Sequence, residues 1–167
     1  VGYNACGSVT TGNDNTGVGQ QALRDVTTGA NNTAIGRNSL VLNTADDNTA
    51  CGRAALEQNT SGSNNTALGK HALLVNTTGQ YNTAVGSLAL DANTTADGNT
   101  AVGYNAMTAN TTGTQNVAFG TNALDASTTG SDITAIGYEA LTNSTTGGSN
   151  TALGHRTLMK NTTGPSN

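Results

Sequence analysis

Residues 99–115 read N-T-A-V-G-Y-N-A-M-T-A-N-T-T-G-T-Q, and the same pattern recurs along the whole chain of 167 residues. Each copy is marked by an apolar residue followed by glycine, and ten such pairs occur. The pairs are 17 residues apart, except for one step of 16 residues between Ile35 and Cys51. The consensus unit is N-T-A-φ-G-x-x-A-L-x-x-N-T-T-G-x-x, where φ is apolar. Helical repeats need longer units of ~33–47 residues, so this period favours stacked β-coils.

Residues at equivalent positions of the unit form columns that keep their chemical type. The φ column consists of Val1, Val18, Ile35, Cys51, Leu68, Val85, Val102, Phe119, Ile136 and Leu153. The Leu column, four residues after each marker glycine, consists of Cys6, Leu23, Leu40, Leu56, Leu73, Leu90, Met107, Leu124, Leu141 and Leu158. The turn-Thr column consists of Thr10, Thr27, Thr44, Thr60, Thr77, Thr94, Thr111, Thr128, Thr145 and Thr162.

These columns predict an all-β fold, a parallel β-solenoid or β-roll of about ten 17-residue coils, with residues 1–167 forming a single repeat array. We expect one strand on N-T-A-φ and a second strand around x-A-L-x. Turns are expected at the two glycine positions, because glycine permits a positive backbone dihedral angle φ. Like columns would stack ~4.8 Å apart, so that Asn and Thr ladders hydrogen-bond from coil to coil.

The composition excludes several classes of function. Only 10% of the residues are charged, the net charge is -4, and no basic patch suggests a nucleic-acid partner. No run approaches the ~18 apolar residues that a membrane span requires, so membrane insertion is not expected. His71 and His155 stand in different columns, and no set of nucleophile, base and acid recurs. The sequence therefore predicts no enzyme activity, no catalytic residue, no metal site and no cofactor.

The two cysteines each replace an aliphatic residue that we expect to be buried. Cys6 belongs to the Leu column and Cys51 to the φ column, three coils away. Three coils correspond to ~14 Å along the stack, beyond the ~7 Å that a disulfide spans between Cα atoms. Both are therefore predicted to be free, buried thiols.

Self-association is expected because each coil offers few large apolar side chains. Ala and φ are adjacent in N-T-A-φ, so they point to opposite faces of a strand. We expect one face to close the core of the coil and the small Ala face to meet another chain, most plausibly in a trimer. The last residues and Val1 are nearly in phase, so the chain reads as incomplete at both ends: a segment of a longer fibre or a unit of an end-to-end filament.

The combination of N-T-A-[V/I]-G-x-x-A-L with N-T-T-G resembles repeats of long bacterial and phage surface fibres. It is more loosely similar to the head repeats of trimeric autotransporter adhesins, whose unit is shorter and lacks N-T-T-G. The resemblance covers essentially the whole chain. It implies a trimeric, parallel β-roll shaft or head with an adhesive or spacer role, located outside the cell or on a cell or virion surface.

Two sets of residues are candidate sites. The sequon N-x-[S/T] occurs at eight asparagines that could accept glycans: Asn31, Asn59, Asn64, Asn76, Asn93, Asn110, Asn143 and Asn161. The column two residues after φ is the most variable, so we expect it to face solvent. It forms a candidate ligand strip for cell-surface carbohydrate or another anionic surface, carried by Tyr3, Arg37, Arg53, Lys70, Tyr104 and Tyr138.

Two functions therefore remain open at this point. The first is a structural or adhesive repeat of an extracellular fibre. The second is an ice-binding β-solenoid, in which a flat Thr ladder orders water. The adjacent threonines of N-T-T-G weigh against the second function, because only one of each pair can join a plane.

Overall fold

The computed structural model describes residues 1–164 and contains nine short strands in one parallel sheet. The strands are β1 (Thr16–Val18), β2 (Thr33–Ile35), β3 (Thr49–Cys51), β4 (Thr66–Leu68), β5 (Thr83–Val85), β6 (Thr100–Val102), β7 (Val117–Phe119), β8 (Thr134–Ile136) and β9 (Thr151–Leu153). Each strand pairs with the next strand in sequence, and equivalent repeat positions lie opposite each other. The predicted parallel β-solenoid is confirmed, and the described residues contain no helix.

Each strand uses its three residues in the same way. The first and third residues, usually Thr and φ, point outward, whereas the central Ala points into the coil and is buried. Alternation of side chains along a strand requires this arrangement once one face is chosen. The 16-residue step is absorbed without loss of register, since Thr33, Ala34 and Ile35 lie opposite Thr49, Ala50 and Cys51.

The predicted second strand around x-A-L-x does not form. The residue two before Leu and the Leu itself adopt positive φ, as in Leu88 (φ 62°) and Leu90 (φ 52°), which excludes extended backbone. This segment still bonds to the next coil, because the amide of Leu90 donates to the carbonyl of Ala106 at 3.1 Å. A left-handed backbone costs ~1–2 kcal/mol per residue, and full burial of the Leu side chain offsets that cost.

The core is a narrow column of leucines surrounded by alanines. The Leu column is fully buried from Leu23 to Leu141, together with the strand alanines and most of the small residues that precede each Leu. The expected assignment of the strand faces was wrong, because the Ala face closes the core and the φ face is outside. One Leu per coil fills the interior, so the strand has room there only for a methyl group.

Glycine occurs in its two columns for different physical reasons. Each marker glycine takes a positive φ, for example 137° at Gly103, and a Cβ there would lie 2.5 Å from the carbonyl oxygen of Gly120 in the next coil. The expected positive φ at the glycine of N-T-T-G is not found. Ala45 and Ala96 occupy that position in two coils, so this column needs a small residue beside the next coil and not a left-handed backbone.

Two columns of buried asparagines join the coils from within. In the first Asn column, which opens each unit, the backbone N–H of Asn82 donates to Asn65 Oδ1 of the preceding coil at 3.0 Å. In the second Asn column, which opens N-T-T-G, Asn76 Nδ2 donates to Asn59 Oδ1 at 2.7 Å and to the carbonyl of Gly79 at 2.9 Å. These side chains are fully buried, so the predicted Asn ladders exist and lie inside the solenoid.

The ladders are interrupted near the carboxyl end. The second Asn column carries Ser127 and Ser144, and the first carries Ile133 between them. Serine is too short to reach the previous coil, so the buried atoms Asn110 Oδ1, Ser127 Oγ and Ser144 Oγ have no hydrogen-bond partner. Such atoms cost about 1–3 kcal/mol each, so the interruption lowers the stability of these coils.

Replacing the marker glycine Gly103 by Ala is expected to destabilise the fold by about 3 kcal/mol or more. The new Cβ meets the backbone of the next coil and imposes a strained φ. The matched control is Gly98→Asn, since Gly98 has a positive φ of 69° with its nearest neighbour atom at 3.7 Å, and its column already holds asparagines. Urea unfolding should separate the two variants, and equal stabilities would contradict this reading of the marker glycines.

Replacing Asn76 by Ala is expected to lower the free energy of unfolding by about 2–4 kcal/mol, because buried partners in the adjoining coils lose their hydrogen bonds. Asn13→Ala is the control, since Asn13 is exposed and its side chain has no partner within residues 1–164. Denaturant titrations measure both effects. A loss at Asn76 no larger than at Asn13 would show that the ladder does not stabilise the stack.

Candidate functional site

The outer side of the sheet forms a regular, uncharged surface, here called the outward face. It consists of the φ column and of the strand-Thr column, which is Thr16, Thr33, Thr49, Thr66, Thr83, Thr100, Thr134 and Thr151, with Val117 in β7. Several large apolar side chains on it are exposed, among them Leu68 at 38%, Phe119 at 55% and Leu153 at 73%. Exposed apolar side chains grouped on one face are typical of an interaction site.

The threonine columns of the chain have different surroundings. The turn-Thr column uses its hydroxyls internally, as when Thr60 Oγ1 donates to the carbonyl of Thr77 at 2.9 Å. Within residues 1–164, the hydroxyls of the strand-Thr column make no hydrogen bond to protein. The second threonine of N-T-T-G is also exposed, as at Thr78, Thr95 and Thr112, so the strand-Thr column is one of two regular arrays of hydroxyls that reach solvent.

The six residues of the predicted ligand strip lie in one exposed column at the corner beside the outward face. The solvent-facing position expected for this column is thus observed. Arg37, Arg53 and Lys70 occupy consecutive coils, about 4.8 Å apart along the stack. None of the three forms an ion pair within residues 1–164, and the nearby carboxylate of Glu57 accepts a hydrogen bond from Asn38.

The carboxyl half of the strip contains a cluster that the sequence reasoning missed. The rings of Tyr138 and His155 stack with centroids 5.3 Å apart, and the Arg156 guanidinium lies 5.8 Å from the centroid of Tyr138. Arg156 Nε donates to Glu139 Oε2 at 2.6 Å. The sequence signal was the 17-residue spacing of Tyr138 and His155 in one column, with Glu139 and Arg156 in the next.

The ionisable groups of this cluster influence one another. The hydrogen bond from Arg156 lowers the pKa of the Glu139 carboxyl, and the same pair raises the pKa of Arg156. A hydrogen bond to Glu139, together with its negative charge, raises the pKa of the Tyr138 hydroxyl. At neutral pH the cluster therefore presents a fixed ion pair beside two stacked rings.

The eight sequons differ sharply in burial. Asn59, Asn76, Asn93 and Asn110 belong to the second Asn column and are fully buried, so these four candidate acceptors are enclosed in the folded chain. Asn161 is half-buried and hydrogen-bonds to Gly164. Asn31, Asn64 and Asn143 are exposed, and these are the sequons at which the folded chain offers a side chain for glycosylation.

The cysteines are both free, but they are less buried than predicted. Cys51 is exposed because the φ column is on the outside, and Cys6 is half-buried because it lies in the first coil, where the core is less covered. The thiol of Cys51 therefore lies on the outward face between Ile35 and Leu68.

Other kinds of site are not seen in the part of the chain that the structure describes. Residues 1–164 contain no pocket and no group of three or more His, Cys, Asp or Glu residues able to hold a metal ion. They also contain no helix long and apolar enough to cross a membrane. In comparisons with protein-family models, curated proteins and solved structures, nothing matches this chain.

If the chain is produced in a host that performs N-glycosylation, we expect folded protein to carry glycans at Asn31, Asn64 or Asn143 only. A glycan on Asn76 would replace one of the two N–H groups that bond Asn59 and Gly79, and it would not fit between coils. Site-resolved mass spectrometry of the folded fraction checks this expectation. Substantial occupancy at Asn59, Asn76, Asn93 or Asn110 would contradict the buried ladder.

Proposed function

We propose that the protein is a structural repeat of an extracellular fibre or filament, acting as a shaft or head with a spacer or adhesive role and without catalysis. The observation that carries this proposal is the bonding of each coil to its neighbours on every side. Strand amides, the Leu column and the turn-Thr column all donate to the adjacent coil, as at Thr83, Leu73 and Thr77.

This bonding supports a mechanical role because it makes the stack stiff along its axis. Nine strands give eight spacings of ~4.8 Å, or roughly 38 Å of continuous rod. The connections between strands are bonded to the next coil and contain no long free loop in residues 1–164, so they offer few sites for proteases. The side chains of the outward face make no hydrogen bond between coils within residues 1–164 and are free to differ.

Self-association through the outward face is part of the proposal, with further copies of this chain as the occupant and a parallel trimer as the arrangement. The face carries no charged residue, so copies meet without burying unpaired charges. Its φ and Thr side chains repeat at the coil spacing. A second copy has the same spacing and therefore fits at every coil, whereas a partner with another period fits at only a few.

Cys51 provides a test of this arrangement, because parallel copies in register bring the Cys51 thiols of two chains together. We expect a native mass of three times the chain mass of 16.6 kDa, and a disulfide-linked dimer after mild oxidation. The Cys6→Leu variant should still cross-link, since Leu is the usual residue of its column, and Cys51→Val should not. A monomeric mass in light scattering would overturn the self-association, and trimers without this cross-link would overturn the in-register contact.

Ice binding is the second candidate, favoured by the strand-Thr column. Its hydroxyls alternate with φ side chains on a parallel sheet and have no protein partner within residues 1–164. This ladder lies on the strands and is separate from the threonines of the N-T-T-G turns. Thermal hysteresis from a monomer at micromolar concentration would favour this function, and its absence from a trimer would favour the fibre.

A further inference from the structure

The ligand strip continues beyond the six residues named so far and divides into two chemically distinct halves. Arg37, Arg53 and Lys70 form a cationic half on three consecutive coils. Ser87 then separates this half from an aromatic half that contains Tyr104, Tyr138 and His155, with Thr121 between the tyrosines. From Arg37 to His155 there are seven coil spacings, or roughly 34 Å.

The cationic half concentrates charge in a way that the rest of the chain does not. The chain has only six Lys and Arg residues and a net charge of -4, yet three of the six lie in this one line. Unit charges ~4 Å apart repel by ~1 kcal/mol even in water, and none of the three has an ion-pair partner within residues 1–164. A ligand with anionic groups along a line removes this repulsion.

The aromatic half offers flat rings with fixed orientation. Tyr138 is held between its stack on His155 and the Arg156 guanidinium, and Glu139 in turn holds Arg156. Tyr104 lies two coils away and is 51% exposed. Ring faces of this kind pack against the C–H faces of sugar rings, while the tyrosine hydroxyls and the guanidinium supply polar contacts.

We propose that this strip binds an acidic polysaccharide, with its carboxylate groups on Arg37, Arg53 and Lys70 and its sugar rings on Tyr104 and Tyr138. The proposal deepens the adhesive part of the proposed function and rests on it for its biological setting. A nucleic acid is a poorer fit, because three cations on an acidic protein neutralise few phosphates. The strip adjoins the outward face but shares no residue with it, so self-association and polysaccharide binding are assigned to different side chains.

The test measures binding of polygalacturonate by calorimetry at low ionic strength, with its fully methyl-esterified form as the uncharged probe. Arg53→Ser combined with Lys70→Ser is expected to weaken binding at least tenfold. Arg24→Ser combined with Lys160→Ser removes the same charge elsewhere and should change binding less than twofold. Ser87 in the same column shows that the fold accepts serine there.

The aromatic half is tested by Tyr138→Thr, which copies Thr121 of the same column and is expected to weaken binding about fivefold. Tyr81→Asn is its control, because Tyr81 is exposed at another corner and its column holds asparagines elsewhere. No binding of polygalacturonate, equal binding of the esterified form, equal losses in the control variants, or tighter binding of duplex DNA would each overturn the proposal. Light scattering on the same samples reports separately on the trimer, so a monomer that binds would refute only self-association.

Discussion

The structure depends on one constraint: a 17-residue coil cannot satisfy its own backbone or fill its own core, so its neighbours must do both. Only three residues per coil are in a strand, yet the amides of the other sides also donate to adjacent coils. The buried Asn columns extend this bonding to the interior. Asn65 and Asn76 both donate to the carbonyl of Gly79, which closes the coil, while their other bonds reach the coils above and below.

The residues that stabilise the stack are different from the residues of the proposed binding strip. Residues that point inward or bond between coils are small, amide-bearing or Leu, and they vary little from coil to coil. The strip column can hold Arg, Lys, Ser, Thr, Tyr or His without affecting the stack, because its side chains project into solvent. If the strip binds an acidic polysaccharide as proposed, the order of residues along this one column would determine what the rod recognises.

The repeat made much of the fold predictable, and the errors have physical causes. The period, the parallel stacking, the Leu core and the solvent-facing strip follow from the columns alone.

The pattern x-A-L-x did not reveal that Leu90 and its equivalents have left-handed backbone, since Leu rarely adopts it. Alternation identified two faces of N-T-A-φ but not which face is inside, because that depends on how much space the Leu column leaves. Asparagine beside Thr and Gly normally indicates an exposed turn, so burial of Asn76 was not foreseen. The stack of Tyr138 on His155 requires knowledge of side-chain orientation that spacing does not supply.

The central claim is that all sides of the coil, and not the sheet alone, hold the stack together. Native-state hydrogen exchange tests it most directly in the middle coils, where Thr83 donates from a strand, Leu73 from the side of the Leu column and Thr77 from the turn. We expect all three amides to exchange slowly and with similar protection. Slow exchange at Thr83 together with nearly unprotected amides at Leu73 and Thr77 would contradict it.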